Sequence, residues 1–214
     1  MADAPTRVVL VRHGESTATV EQVVGGHAGC RGLSPRGRAQ VAALRDRLAT
    51  TGELGEVAAL VASVLPRAIE TAEIMAPALG GPAVRRDCAV CEVHPGEGDA
   101  LSWSEFEARY GDNRGGRPFR PPAPGAESVA EFAVRSAAAL RALADEHEGG
   151  TVVVACHHGV VGASFVAFGN LPLVRGFGLH VDNASLTEWQ RHGDRWQLRR
   201  FNDAAHLPTA VPSA

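Results

Sequence analysis

Val8-Val9-Leu10-Val11-Arg12-His13-Gly14-Glu15 decides the fold, together with its counterpart Thr151-Val152-Val153-Val154-Ala155-Cys156-His157-His158-Gly159. Each is a short, β-branched apolar run bounded by polar or glycine residues, the pattern of a buried strand. Each strand delivers a histidine at its carboxyl end. In an open α/β sheet, that edge is where ligands bind. Two histidines and an arginine converging on one edge make a site for an anion and for nucleophilic chemistry.

The rest of the chain is read outward from these strands. The first strand covers 7–12. A long polar loop, 13–33, follows and contains Gly25-Gly26-His27-Ala28-Gly29. Ser34-Pro35 starts a helix, with serine as N-cap and proline at the first helical position. Residues 58–63 form a second strand. Pro66 opens a helix that stops at Gly80-Gly81-Pro82, and 83–86 is a short third strand. Ser128 with Glu131 makes a capping box for a helix ending at Gly149-Gly150. After strand 151–156 comes a small-residue helix, 159–168. Two alternating segments, 185–190 and 195–201, flank His192-Gly193-Asp194 as a hairpin. The β–α alternation predicts an α/β fold, a three-layer αβα sandwich with a mainly parallel sheet.

Composition shifts between about 88 and 125, where Trp103, Phe106, Tyr110 and Phe119 fall with much of the proline. This stretch reads as a cap insertion over the C-terminal strand edge of a single domain, 1–214. Its aromatics are expected to form a small core of their own. Arg114, Arg117 and Arg120 are expected on a solvated face rather than as a substrate clamp.

Composition also excludes some functions. The chain has 214 residues, 45% hydrophobic and 21% charged, with net charge −3 and pI about 6.3. That balance disfavours a nucleic-acid partner. No apolar run reaches the roughly 18 residues that span a bilayer, and the N-terminus lacks signal-peptide character, so a cytoplasmic location is expected. The residues leave the oligomeric state open. Cys88-Ala-Val-Cys91 has metal-ligand or redox spacing with His94 nearby, but a second ligand pair at suitable spacing is absent. Reduced thiols in or near a core are therefore expected, with no metal ligands and no cofactor.

Arg67 follows the second strand as Arg12 and His157 follow theirs. The fit is to a phosphoryl group, whose oxygens match two guanidiniums by bidentate hydrogen bonds. A neutral imidazole can attack phosphorus and form a phosphohistidine, while a protonated one stabilises charge on the oxygens. The arginines and imidazolium supply the positive charge that Mg²⁺ supplies elsewhere. Glu92, after the third strand, is the preferred proton donor to a leaving alcohol, and Glu97 is its rival. A metal cluster of His13, His27, His157 and His158 is the alternative; no carboxylate lies at a recognisable ligand spacing.

These motifs resemble the histidine phosphatase superfamily, the branch of phosphoglycerate mutases and broad-specificity phosphatases. The resemblance is carried by Arg12-His13-Gly14-Glu15-Ser16, by 33–40 from Leu33-Ser34-Pro35, by Ser63 through Arg67 to Thr71-Ala72, by Glu92 with Gly96, and by Ala126-Glu127-Ser128 and the valine run into His157. It spans about residues 7 to 190. It implies that His13 is the nucleophile, that Arg12, Arg67 and His157 bind phosphate, and that Glu92 is the proton donor. Ser16, Thr19, Gly25 and His158 are candidate substrate contacts. Thr19 stands where the family commonly has asparagine, His158 where it has glycine, and Gly98-Asp99-Ala100 where it often has Trp-Glu-Gly. The expected function is a metal-independent phosphomonoesterase acting on a small phosphate ester. The alternatives are a mutase-type phosphotransferase and a non-catalytic phosphate-ligand-binding module.

Overall fold

A computed structural model describes residues 4–111, 117–173 and 177–208. In chain order the elements are β1 (Thr6–Arg12), α1 (Thr17–Val20), α2 (Pro35–Thr51), β2 (Ala59–Ala62), α3 (Pro66–Met75), β3 (Val84–Arg86), α4 (Trp103–Tyr110), α5 (Val129–Glu146), β4 (Thr151–Cys156), α6 (His158–Ala167), β5 (Leu186–His192) and β6 (Arg195–Asp203). Among the described residues the strands form one six-stranded sheet in the order β3-β2-β4-β1-β5-β6. The first four are mutually parallel, and β5 and β6 add an antiparallel edge.

The pleat explains why β1 and β4 read as unbroken apolar runs. Successive side chains point to opposite faces of a sheet, and both faces of this one are covered. Val8 and Leu10 of β1, with Val152 and Val154 of β4, pack beside Phe132, Leu140 and Leu143 of α5 and Val160 and Val161 of α6. Val9 and Val11, with Val153 and Ala155, pack beside Val41, Leu44 and Leu48 of α2 and Ala72 and Met75 of α3. A strand buried on both sides has no polar positions to alternate.

The helix starts follow their capping chemistry. The Ser34 hydroxyl accepts from Gly37 N with Pro35 in the first turn. Ser128 and Glu131 form the expected capping box on α5. Three features depart from the sequence reading. The polar loop contains a short helix, α1, capped by Ser16. The insertion contains α4, started by a second capping box, Ser102 with Glu105. The hairpin strands run on to His192 and Asp203.

The aromatics of the insertion divide. Phe106 packs with Val24 and Ala123, flanked by Tyr110, so a small separate core does form. Phe119 stays outside it, 76% exposed.

Candidate active site

The parallel register of β1 and β4 pairs Arg12 with Cys156. The next residues on each strand, His13 and His157, therefore meet side by side, ring centroids 5.1 Å apart. The end of β2 leads through Ser63-Val64-Leu65 to Arg67 in the first turn of α3. The end of β3 leads through a 3₁₀ turn at Cys88–Val90 to Glu92. Four strand ends thus supply five groups to one edge of the sheet.

His13 is buried, and both its ring nitrogens are accounted for. Nδ1 lies 2.6 Å from the Gly14 carbonyl oxygen, which can only accept. Nδ1 therefore carries the proton. Arg67 Nε donates to Nε2 at 3.1 Å, so Nε2 presents its lone pair. Arg67, itself buried, is anchored by Nη1 donating to the Gly25 carbonyl at 2.6 Å. Thr71 ties the two together: its hydroxyl donates to Arg67 O and accepts from Gly14 N. Behind His13, Asn183 Nδ2 donates to the backbone carbonyl at 2.9 Å.

Arg12 Nη1 donates to the Val181 carbonyl. Its Nε is buried with no hydrogen-bond partner among the described residues, as are both ring nitrogens of the fully buried His157. Unpaired buried donors are costly, and they cluster here at one spot. Burial pushes both imidazoles well below the ordinary histidine value. Arg67 adds to this in each case, and Arg12 and the other imidazole do so for His157. Burial also lowers Arg12, against the opposing charges of Glu92 and Asp182. The site thus holds two guanidiniums, two neutral imidazoles and orphaned donors. An anion relieves each of these deficits.

Glu92 is held by two backbone N–H groups, Gly159 N to Oε2 at 3.0 Å and Val93 N to Oε1 at 3.2 Å. A Cβ on Gly159 would lie 2.2 Å from Glu92 Oε1 and 2.8 Å from the Phe132 ring, so only glycine admits the carboxylate there. A cavity of about 1120 Å³ opens over the site. Arg12, His13, Arg67 and Glu92 line it, with Ser16, Thr19, Gly25 and His158. His157 is fully buried against the edge of the His13 ring and is not among the lining residues. Glu97 is exposed and is not among the lining residues.

The family model described as histidine phosphatase superfamily (branch 1) matches residues 8–204. The chain belongs to the histidine phosphatase superfamily. It is similar to "Phosphoglycerate mutase-like protein 4" of Arabidopsis thaliana, 29% identical over 94% of this chain and 86% of that one. It is also similar to "Metal-independent phosphoserine phosphatase" of the same plant, 30% identical over 94% and 83%. Among solved structures, mycobacterial glucosyl-3-phosphoglycerate phosphatase with inorganic phosphate superposes with a TM-score of 0.76, at 28% identity over 95% of this chain and all of that one. Family membership and these phosphatase relatives make the chain a phosphatase.

Two expectations are revised by the structure. Phe106 and Tyr110 of the insertion's core also line the cavity, as do the half-exposed Trp103 on the Phe106 ring edge, Arg117 and Arg120. The two arginines are exposed, but on the cavity's rim; Arg114 lies outside the described residues. His27 does not join His13, His157 and His158. It sits with Cys88, Cys91 and His94, whose ligand atoms all lie within 4.8 Å of one another and of its own. The second ligand pair missing from the local sequence is His27 with His94.

Asn183 and the Val181 carbonyl carried no sequence signal, and Thr71 was marked only as part of the motif around Arg67. Asp99 could have been suspected from its place in the Gly98-Asp99-Ala100 departure. Its carboxylate accepts from Gly26 N, Ala28 N and Gly29 N at 2.7–3.0 Å and so shapes the glycine-rich loop.

Among the described residues, no helix is long and apolar enough to cross a membrane.

Proposed function

We propose that the chain is a metal-independent phosphomonoesterase working through a phosphohistidine on His13. The observation that carries this reading is the fixed tautomer of His13, which lines the cavity: Nδ1–H donates to Gly14 O, and the unprotonated Nε2 accepts from Arg67 Nε. Arg67 Nε–H transfers its hydrogen bond from His13 Nε2 to a phosphoryl oxygen, the freed Nε2 lone pair attacks phosphorus, and the P–O bond to the ester oxygen breaks. Glu92 gives its proton to the departing alkoxide. The resulting carboxylate then takes a proton from water as that water attacks the phosphohistidine. Inorganic phosphate leaves, and His13 recovers its lone pair. Arg12 and Arg67 pair with the phosphoryl oxygens by bidentate hydrogen bonds. His157, neutral in the empty site, gains a reason to hold a proton once a dianion sits beside it. Metal-free phosphoryl transfer of this kind rests on positioning and on charges fixed in place.

The substrate we propose is a small phosphate ester with a second anionic group. Arg117 and Arg120 stand on the cavity rim, and the relatives' names concern phosphoserine and glucosyl-3-phosphoglycerate, both of which carry a carboxylate. A panel of phosphorylated hydroxy acids, phosphoserine, sugar phosphates, nucleotides and simple alkyl phosphates, assayed for free phosphate, tests both parts. Release without a bisphosphate primer, fastest for the acids, is expected. Activity that requires a primer and releases no phosphate would instead indicate a mutase.

A further inference from the structure

We propose that His27, Cys88, Cys91 and His94 bind a structural zinc ion that fixes the glycine-rich loop to the segment bearing Glu92. Cys88 Sγ lies 3.9 Å from His27 Nε2 and 3.6 Å from His94 Nε2, and all four ligand atoms fall within 4.8 Å of one another. Tetrahedral zinc, with Zn–S of about 2.3 Å and Zn–N of about 2.0–2.1 Å, sets its ligand atoms about 3.3–3.8 Å apart. The four side chains therefore need to close by only a small amount around an ion. Two thiolates and two neutral imidazoles suit a borderline-soft divalent cation, and they cancel its charge. Calcium and magnesium prefer oxygen donors.

The surroundings of the ligands fit the same purpose. Cys88 and Cys91 stand at the two ends of one 3₁₀ turn, with Cys91 N donating to Cys88 O. Arg135 Nη1 donates to the carbonyls of Cys88, Ala89 and Cys91, placing a fixed positive charge beside two prospective thiolates. The Ser63 hydroxyl donates to Cys91 Sγ at 3.2 Å. His94 Nδ1 faces Glu127 Oε2 at 3.9 Å, and Glu127 is held bidentately by Arg135. A carboxylate behind an imidazole orients the other ring nitrogen toward a metal. His27 is carried by the loop that Asp99 clamps through three backbone N–H groups.

The ion would act on the active site by position. His27 is two residues from Gly25, whose carbonyl anchors Arg67, and Cys91 is adjacent to Glu92. One ion joining these segments would hold the phosphate-binding arginine and the proton donor in register. It takes no part in the chemistry, so the proposal is independent of the phosphohistidine mechanism.

The test is metal content, with spectroscopy. The full chain is produced in zinc-supplemented medium under reducing conditions, dialysed against metal-free buffer, and analysed by elemental mass spectrometry. About one zinc per chain is expected. Exchange with cobalt(II) should give the intense visible bands of a tetrahedral ion and a thiolate-to-cobalt charge-transfer band. His27→Ala and Cys88→Ser alter side chains that are not fully buried, which guards against misfolding. Each should weaken zinc binding at least about tenfold in competition with a chromophoric chelator and shift the cobalt spectrum. Wild-type protein without stoichiometric zinc, a Cys88–Cys91 disulfide in the reduced preparation, or unchanged zinc affinity in both folded variants would overturn the proposal. None of these readouts depends on catalysis, so a wild-type protein that binds stoichiometric zinc but releases no phosphate would speak against the proposed function and leave the zinc site standing.

Discussion

Replacing His157 by asparagine should remove part of the protein's sensitivity to acid. His157 is fully buried. It faces His13 and Arg12 from the end of β1, Arg67 from α3 and Arg135 from α5, and burial and these charges hold its pKa well below the usual 6.5. The unfolded chain therefore takes up this proton before the folded chain does. Stability from the neutral imidazole is fully present above about pH 6.5 and is lost as pH falls toward the folded value. While the folded imidazole stays neutral, the loss approaches about 1.4 kcal/mol per pH unit. His13 is lowered in the same way, so the pair approaches twice that slope. The assay is denaturant unfolding of wild type and His157→Asn, without phosphate, at several pH values from 7.5 to 5. Whatever its stability at pH 7.5, the variant should lose less on acidification, the difference between the two curves moving in its favour from about pH 6.5 downward with a slope that approaches at most about 1.4 kcal/mol per pH unit. Parallel curves would mean that His157 protonates freely in the folded state, which would refute the electrostatic description of the site.

Three further outcomes are expected. Glu92→Gln keeps the shape and one of the two acceptor oxygens and removes the proton, so the burst of His13 phosphorylation should slow by about 10²–10⁴-fold with an alkyl phosphate and far less with an aryl phosphate. Equal loss in rapid-quench bursts would assign Glu92 to substrate positioning. Arg117→Ala with Arg120→Ala should raise KM for a phosphorylated acid more than for an alkyl phosphate in steady-state assays, and equal effects would return both to the solvated rim. Gly14→Ala would place its Cβ 2.4 Å from Gly37 O, a backbone contact that cannot yield by rotamer change, so denaturant unfolding should show a loss of about 1–3 kcal/mol; an unchanged midpoint would refute the close packing of this turn on α2.

The parts of the fold legible in the sequence are those set by burial on two faces and by local capping. β1 and β4 announce themselves because their apolar runs are covered on both faces, and Ser34-Pro35 and Ser128 with Glu131 because a cap is a local hydrogen-bond pattern. His13 and His157 could be placed because each directly follows such a strand. What stayed hidden depends on contacts between distant segments. Asn183 and the Val181 carbonyl reach the site only because the chain before β5 returns beside β1. His27 meets Cys88 across 61 residues of sequence, and local ligand spacing cannot report such a meeting. The double role of Phe106 and Tyr110 stayed hidden for a related reason. An aromatic that packs on one side and faces a cavity on the other has the same periodicity as one that only packs.

The central claim is that the Nε2 lone pair of His13 attacks phosphorus, and the most direct test traps the phosphorylated protein. Enzyme mixed with a phosphorylated hydroxy acid and quenched in base within the first turnover should carry one phosphoryl group, stable to base and labile to acid, which peptide mass spectrometry places on His13. His13→Ala should show neither the group nor phosphate release. Phosphate on any other residue, or sustained phosphate release by wild type with no covalent phosphate at any quench time, would contradict the account.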